Sequence, residues 1–376
     1  MTTPIVQGWC PGALKPMMSG DGLVVRIRPV AAEISADQAQ GIARAALQFG
    51  NGFIDLTNRA NLQIRGVSED KYAPLIDALS GLGLLDEDQS LETRRNFVFS
   101  PFESRNSSAG KVLETFLSNL SQFPDIPGKF GFSVEGGPRR VLHNVPADIR
   151  VEPSLDGGLI LRAEGAPTGV EIDSSSALDT ALDLINWFVE NRPENIRRMP
   201  KLLEIMRLPD RFQGCLPADT EDKSLPGPIS EGVSLAVPFG QLAARDLQRL
   251  LEQTQISVLR ITPWRSLWLP GISKLNDTNL ITNPTDPRLK VSACAGMPFC
   301  PQASVETREM ASRLAGRFSG QLHVSGCTKG CAHPAAADVV LVGKNGTFDL
   351  VRNGTAWDEP RQRGLSLNDI DELDLT

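Results

Sequence analysis

Four cysteines carry the strongest chemistry in the chain. Cys294 and Cys300 stand in "SACAGMPFCPQA", and Cys327 and Cys331 follow in "SGCTKGCAHP". The spacing is C-x5-C, twenty-six intervening residues, then C-x3-C. Ligation by four thiolates suits a 4Fe-4S cluster or a structural zinc. Zinc knuckles usually enclose two to four residues, so the wider first loop favours wrapping a cubane. The loops are rich in small residues, which lets backbone N–H groups approach cluster sulfurs and influence their potential. Between the pairs, "ASVETREMASRLAG" reads as a helix whose positive N-terminal end would lie under the first loop. Cys10 and Cys215 fall outside the set and read as structural.

The elements that must hold these thiols are written twice. "GLVVRIRPV" and "GVSLAVPF" alternate as strands, while "SADQAQGIARAALQFG" and "GQLAARDLQRLLEQT" have the helical period. Ser35 with Gln38 forms a capping-box pattern for the first helix. "LTNRANLQIRGV" (56–67) aligns with "ITPWRSLWLPGI" (261–272), and 132–151 aligns with 322–341 at a constant offset of 190. In the second pairing Gly137 meets Cys327 and His143 meets His333, so only the later copy carries thiols. The boundaries expected are 1–91, 92–215, a linker at 216–231, 232–280, and 281–376 carrying the cysteines. Residues 178–206 read as one or two helices interrupted at Pro193, and the polar tail from about 344 is expected to fray.

Composition sets the broad class. The chain has 376 residues, 41% hydrophobic and 22% charged, with a formal charge of −7. That balance is of an ordinary globular protein and argues against a nucleic-acid binder, which needs a basic face. No basic segment followed by an apolar one reads as a signal peptide, and no apolar run is long enough for a membrane helix. The expectation is a cytoplasmic protein, in which clustered cysteines bind metal or catalyse. A duplicated pseudo-dimer can work as a monomer, which is the expected state.

The chain resembles the sulfite and nitrite reductase family over nearly its whole length. In that family such cysteines hold a 4Fe-4S cluster beside sirohaem, in an α+β, internally duplicated, pseudo-twofold fold with ferredoxin-like half-domains. "DLTNRANLQIRGV" is similar to the stretch that lays an arginine on the macrocycle, which implies that role for Arg59. "ETRRNFVFSP" maps a second arginine onto Arg95, and "IPGKFGFSV" keeps the first family lysine as Lys129. Gly131 stands where the second lysine would be, which puts oxyanion reduction in doubt. By position Cys331 is the cysteine that bridges cluster and sirohaem iron in the reductases.

"CPGALKPMMSGDGLVVRIRP", "LRITPWRSLWLPG" and "HVSGCTKGCAHP" resemble a narrower branch, the precorrin-3B synthases of aerobic cobalamin synthesis. This resemblance implies O2-dependent hydroxylation of precorrin-3A at carbon 20 with γ-lactone formation, and an external NAD(P)H-dependent electron donor. It also implies a mononuclear non-haem iron, with precorrin-3A taking the place of sirohaem. A polycarboxylate substrate needs several cations, and Arg26, Arg28, Arg59, Arg65, Arg94 and Arg95 lie on or beside expected strands. Arg26 and Arg28 would share a face, as would Arg59 and Arg65 on an unbroken strand. Guanidinium–carboxylate pairs orient as well as attract; the ordinary alternative is solvated strand arginines. Non-haem oxygenases commonly use two histidines and a carboxylate, but His143, His323 and His333 show no pattern that places such a site. No Gly-rich G-x-G-x-x-G follows a strand, so electrons are expected from outside.

Overall fold

The computed structural model describes residues 11–222, 225–229, 231–273, 275 and 278–373. Cys10 lies outside them. Among the described residues there are four five-stranded sheets, in two matched pairs.

The first pair is joined by a reciprocal exchange. One sheet runs Met17–Ser19, Gly22–Ile27, Leu62–Val67 and Phe53–Leu56, and its fifth strand is Gln241–Ala243 from the far half of the chain. The other runs Gly227–Ile229, Gly232–Ala236, Ser266–Pro270 and Val258–Ile261, completed by Glu33–Ser35 from the near half. Each exchanged strand leads directly into a helix, Ala36–Phe49 in one case and Ala244–Thr254 in the other. The two helices pack together over a shared core containing Val25, Ile42, Ile64, Leu235, Leu247 and Leu259. Ser35 caps the first helix through the Gln38 amide, and the Gln38 side chain returns the bond.

The repeat extends to the turns. Thr57 N donates to Asn61 O at 3.0 Å, and Thr262 N to Ser266 O at 2.9 Å. Ala60 and Arg265 occupy the same place in these turns with φ of 53° and 57°. This left-handed residue breaks the strand before Leu62, so Arg59 sits in the turn and does not share a strand face with Arg65.

In the second pair, three parallel strands are followed by two antiparallel ones. Phe97–Phe99, Phe132–Val134 and Ile149–Pro153 match Val291–Ala293, Leu322–Ser325 and Ala337–Lys344. Gly131 N donates to Asp148 at 2.9 Å and its counterpart Gln321 N to Asp338 at 2.7 Å, one restraint retained in both copies. The fold is α+β and internally duplicated.

Three expectations change. The tail is ordered as Thr347–Gly354, Gln362–Leu365 and the helix Leu367–Glu372, because Phe348, Leu350 and Ile370 are buried against the last sheet. Part of the expected linker is tied down, since Pro217 bridges Ser154 and Thr220 bridges Arg140. The helix between the cysteine pairs is only Arg308–Leu314, starting well after the first loop. Helices Ala177–Asn191 and Met199–Leu203 flank Pro193 as expected.

Candidate metal centre and a cation-lined cleft

The thiols collect where two parallel strands end. Ala293 and Val324 are register partners; Cys294 follows the first at once, and Cys327 follows Ser325 and Gly326. Gly326 N donates to Cys294 Sγ at 3.2 Å, and a Cβ on Gly326 would stand 2.6 Å from Ala303 Cβ. A side chain there is excluded, so the backbone reaches the sulfur directly. The C-x5-C loop is held by Cys300 N to Gly296 O (2.8 Å) and Thr307 Oγ1 to Cys294 O (2.7 Å). The first half pins the same loop, since the Phe299 carbonyl accepts from Ser19 Oγ at 2.6 Å and Arg65 Nη2 at 2.7 Å.

Burial pushes the Cys327 thiol up, and Cys300 and Cys294 add to the rise against the Lys329 amide. Cys331 is likewise raised by burial, with Lys329 opposing and the other three cysteines contributing. Thiols that hinder one another's ionisation in a half-buried place are stabilised as thiolates by a bound cationic core. Among the described residues no three His, Cys, Asp or Glu close tightly enough to hold a single metal ion.

Cys294 and Cys331 also line a cleft of about 330 Å³ with Arg26, Arg265, Arg308 and Thr57. Asp55 accepts from Arg308 Nη2 at 3.0 Å and lies 3.5 Å from Arg65 Nη1. Arg26 is oriented by Gln63 Oε1, at 3.0 Å from Nε and 2.6 Å from Nη2. Burial lowers the pKa of Arg265, Arg308 lowers it further, and Asp55 opposes. This is a cationic cleft with the thiols in its wall.

The arginines expected from the sequence separate into four groups. Arg26 alone among them lines the cleft. Arg65 is buried between Asp21 (2.9 Å) and Asp55 and serves to anchor the Phe299 loop. Arg28 and Arg95 stand together elsewhere: Arg28 Nη1 donates to the Glu92 carbonyl, and Arg95 makes a two-pronged pair with Asp86 at 2.5 and 2.8 Å. Arg26 is the penultimate residue of its strand and lines the cleft, whereas Arg28 lies beyond the last strand residue, Ile27, so the alternation linking them has stopped. Arg59 Nη2 reaches the Lys129 carbonyl at 3.1 Å, Lys129 is exposed, and Arg94 pairs with Asp125. A Cβ on Gly131 would collide with the Arg59 guanidinium.

Arg265 and Arg308 escaped the sequence reading. A signal existed for Arg265, which stands in "TPWRSLW", the second copy of the turn that holds Arg59. His323 is fully buried with neither ring nitrogen partnered among the described residues, and burial, then His333, pushes its pKa down to about 4. His143 Nδ1 lies 3.2 Å from the Arg140 carbonyl, far in sequence from the thiols. Cys215 is bridged to Gly169.

Residues 15–82 match the nitrite/sulfite reductase ferredoxin-like half domain. Precorrin-3B synthase of Sinorhizobium sp is 28% identical over 93% of this chain and 83% of its own length. Ferredoxin–nitrite reductase of Synechococcus elongatus is 22% identical over 85% of this chain and 76% of its own. Through this half domain and these relatives the chain is similar to the nitrite/sulfite reductase family. The solved NirA protein of Mycobacterium tuberculosis shares the fold, with a TM-score of 0.66 at 18% identity over 91% of this chain and 77% of that one. The family half domain corresponds to the sheet that supplies Arg26 and Asp55 to the cleft. No helix among the described residues is long and apolar enough to cross a membrane.

Proposed function

We propose that the protein is a precorrin-3B synthase, an iron–sulfur monooxygenase that hydroxylates precorrin-3A at carbon 20, with closure of the γ-lactone. The observation that carries this reading is one cleft walled by two of the four thiols and three guanidiniums. Its cations suit a polycarboxylate, and the similarity to a precorrin-3B synthase along 93% of the chain names the class of macrocycle.

Cys294, Cys300, Cys327 and Cys331 would hold a 4Fe-4S cluster, and the Gly326 N–H is placed to tune it. When bound, the cluster supplies single electrons delivered from an external donor that draws on reduced nicotinamide. The protein's own residues bind and orient: Arg26 is preset by Gln63, and Arg308 is preset by Asp55. Because Arg65 ties the Phe299 carbonyl to Asp21, substrate binding in the first half and thiol placement in the second share one rigid connection.

A sirohaem-dependent reductase is the second reading, favoured by the nitrite reductase relatives. Against it stands Gly131, which lacks the second family lysine and whose side-chain space the Arg59 guanidinium occupies. The deciding experiment is the absorption spectrum of anaerobically purified, cluster-loaded protein, followed by incubation with precorrin-3A and O2. A broad iron–sulfur shoulder with formation of the hydroxylactone supports the proposal. Stoichiometric sirohaem bands would overturn it and assign reduction of sulfite or nitrite.

A further inference from the structure

We infer that Arg265 and Arg308, both supplied by the second half of the chain, form a two-guanidinium subsite that grips the carboxylate edge of a bound tetrapyrrole. The inference rests on the reading that the cleft takes a polycarboxylate macrocycle, and it assigns residues to that task.

Three observations converge on the pair. Among the described residues, no carboxylate or carbonyl hydrogen-bonds or ion-pairs with the Arg265 guanidinium, although the residue is partly buried. Arg308 spends Nη2 on Asp55, while its Nε and Nη1 are buried without partners. Asp55 is itself divided between Arg308 and Arg65, so one carboxylate is set against several cations. Charges left this way in a fold cost stability until an anion joins them.

The backbone is shaped to keep Arg265 there. It holds a left-handed conformation, φ 57°, that its counterpart Ala60 also adopts, so the turn is inherited and the guanidinium is this copy's addition. Gly240 makes room for its stem: a Cβ there would stand 2.8 Å from Arg265 Cδ. Arg308 leads the short helix after the C-x5-C loop, beyond the Thr307 that bonds the Cys294 carbonyl. The pair is thus fastened to the thiol-bearing half, while Arg26 reaches the same cleft from the other. A cleft of about 330 Å³ with three guanidiniums offers more cations than one small oxyanion needs, and it suits the carboxylate edge of a larger body.

The test uses holoprotein and uroporphyrin I, a stable octacarboxylate, with binding followed by porphyrin fluorescence for wild type, Arg265→Gln, Arg308→Gln and the double variant. Each single change is expected to weaken binding about tenfold or more, and to flatten its salt dependence. Because Arg265→Gln removes like-charge repulsion, its thermal midpoint should stay at or above the wild-type value, which separates a binding role from a structural one. Unchanged porphyrin affinity in a folded, cluster-loaded double variant would overturn the inference while leaving the proposed activity standing. Absence of porphyrin binding by wild type would overturn both. So would tight sulfite or nitrite binding that only the double variant loses, which would make the pair an oxyanion site.

Discussion

The two α/β halves run in parallel until their strands end, and there they part. Cys294 follows Val291–Ala293, whereas Ser100 follows the matching Phe97–Phe99. Cys327 and Cys331 correspond to Gly137 and Val141 at the offset of 190. In place of thiols the first half has Glu135, 1% exposed, whose carboxylate accepts from Val141 N at 2.6 Å and Leu142 N at 3.1 Å. Those amides are the counterparts of Cys331 and Ala332. A cavity of about 250 Å³, lined by Ser100, Glu135, Gly137, Val141 and Trp268, lies where the other copy has cysteines and cleft. Both copies therefore collect acidic groups at backbone amides beyond the parallel strands. The two copies thus keep one backbone plan and diverge in side chains, with thiols in one and a buried acid in the other.

The comparison is broken most completely at the thiols. Any one of Cys294, Cys300, Cys327 or Cys331 changed to Ser should abolish or destabilise the cluster, read as loss of iron and sulfide per chain. Introducing Cys at Ser100, Gly137 and Val141 together should not create a second cluster, because they supply three thiolates where the second half offers four and the Glu135 carboxylate occupies the amides there. Iron in that triple variant would show the first-half site to be equivalent after all.

Glu135 offers the next test. Burial raises its pKa to about 7 despite the Leu142 and Val141 amides, so the folded state holds a proton that the unfolded chain releases near 4.5. The stability it contributes is full below pH about 4.5 and is lost as pH rises through about 7. Glu135→Gln should remove that loss and stabilise the protein by roughly 3 kcal/mol at pH 8, with no gain at pH 4. Denaturant melts at the two pH values measure the difference, and parallel curves would refute the assignment.

Gly131 and its counterpart Gln321 differ for a steric reason, since Arg59 fills the space above Gly131. Gly131→Lys should displace that guanidinium and cost about 1–3 kcal/mol, without raising oxygenation. A smaller contrast separates the two helices that follow the exchanged strands. Ser35 and Gln38 cap the first, whereas Ala243 gives the second no side-chain cap. Ala243→Ser should add about 0.5–1 kcal/mol in thermal or chemical melts, while Ser35→Ala should remove about 1 kcal/mol.

The grouping of the cysteines was legible because their spacing is local, and the fold brings both pairs to the ends of adjacent parallel strands. The capping box of Ser35 was readable for the same reason: its partners are three residues apart. The arginines were not legible. Their residue type announced a cationic surface, but Arg95 meets Asp86, Arg65 meets Asp21, and only Arg26 of the expected set turns into the cleft. No local pattern distinguishes an arginine whose counter-ion is already in the fold from one that is open to a ligand.

By itself, the sequence determined the duplicated α+β plan, the thiol set and the asymmetry between its copies, since these depend on residue type, period and short spacing. The tertiary structure alone decided the strand exchange, in which Glu33–Ser35 pairs with Val258–Ile261 and Gln241–Ala243 with Phe53–Leu56. It also brought Arg265 and Arg308 across to Arg26. Pairings between residues some two hundred positions apart leave no periodic trace in the chain, because each strand satisfies its alternation whichever neighbour supplies its hydrogen bonds.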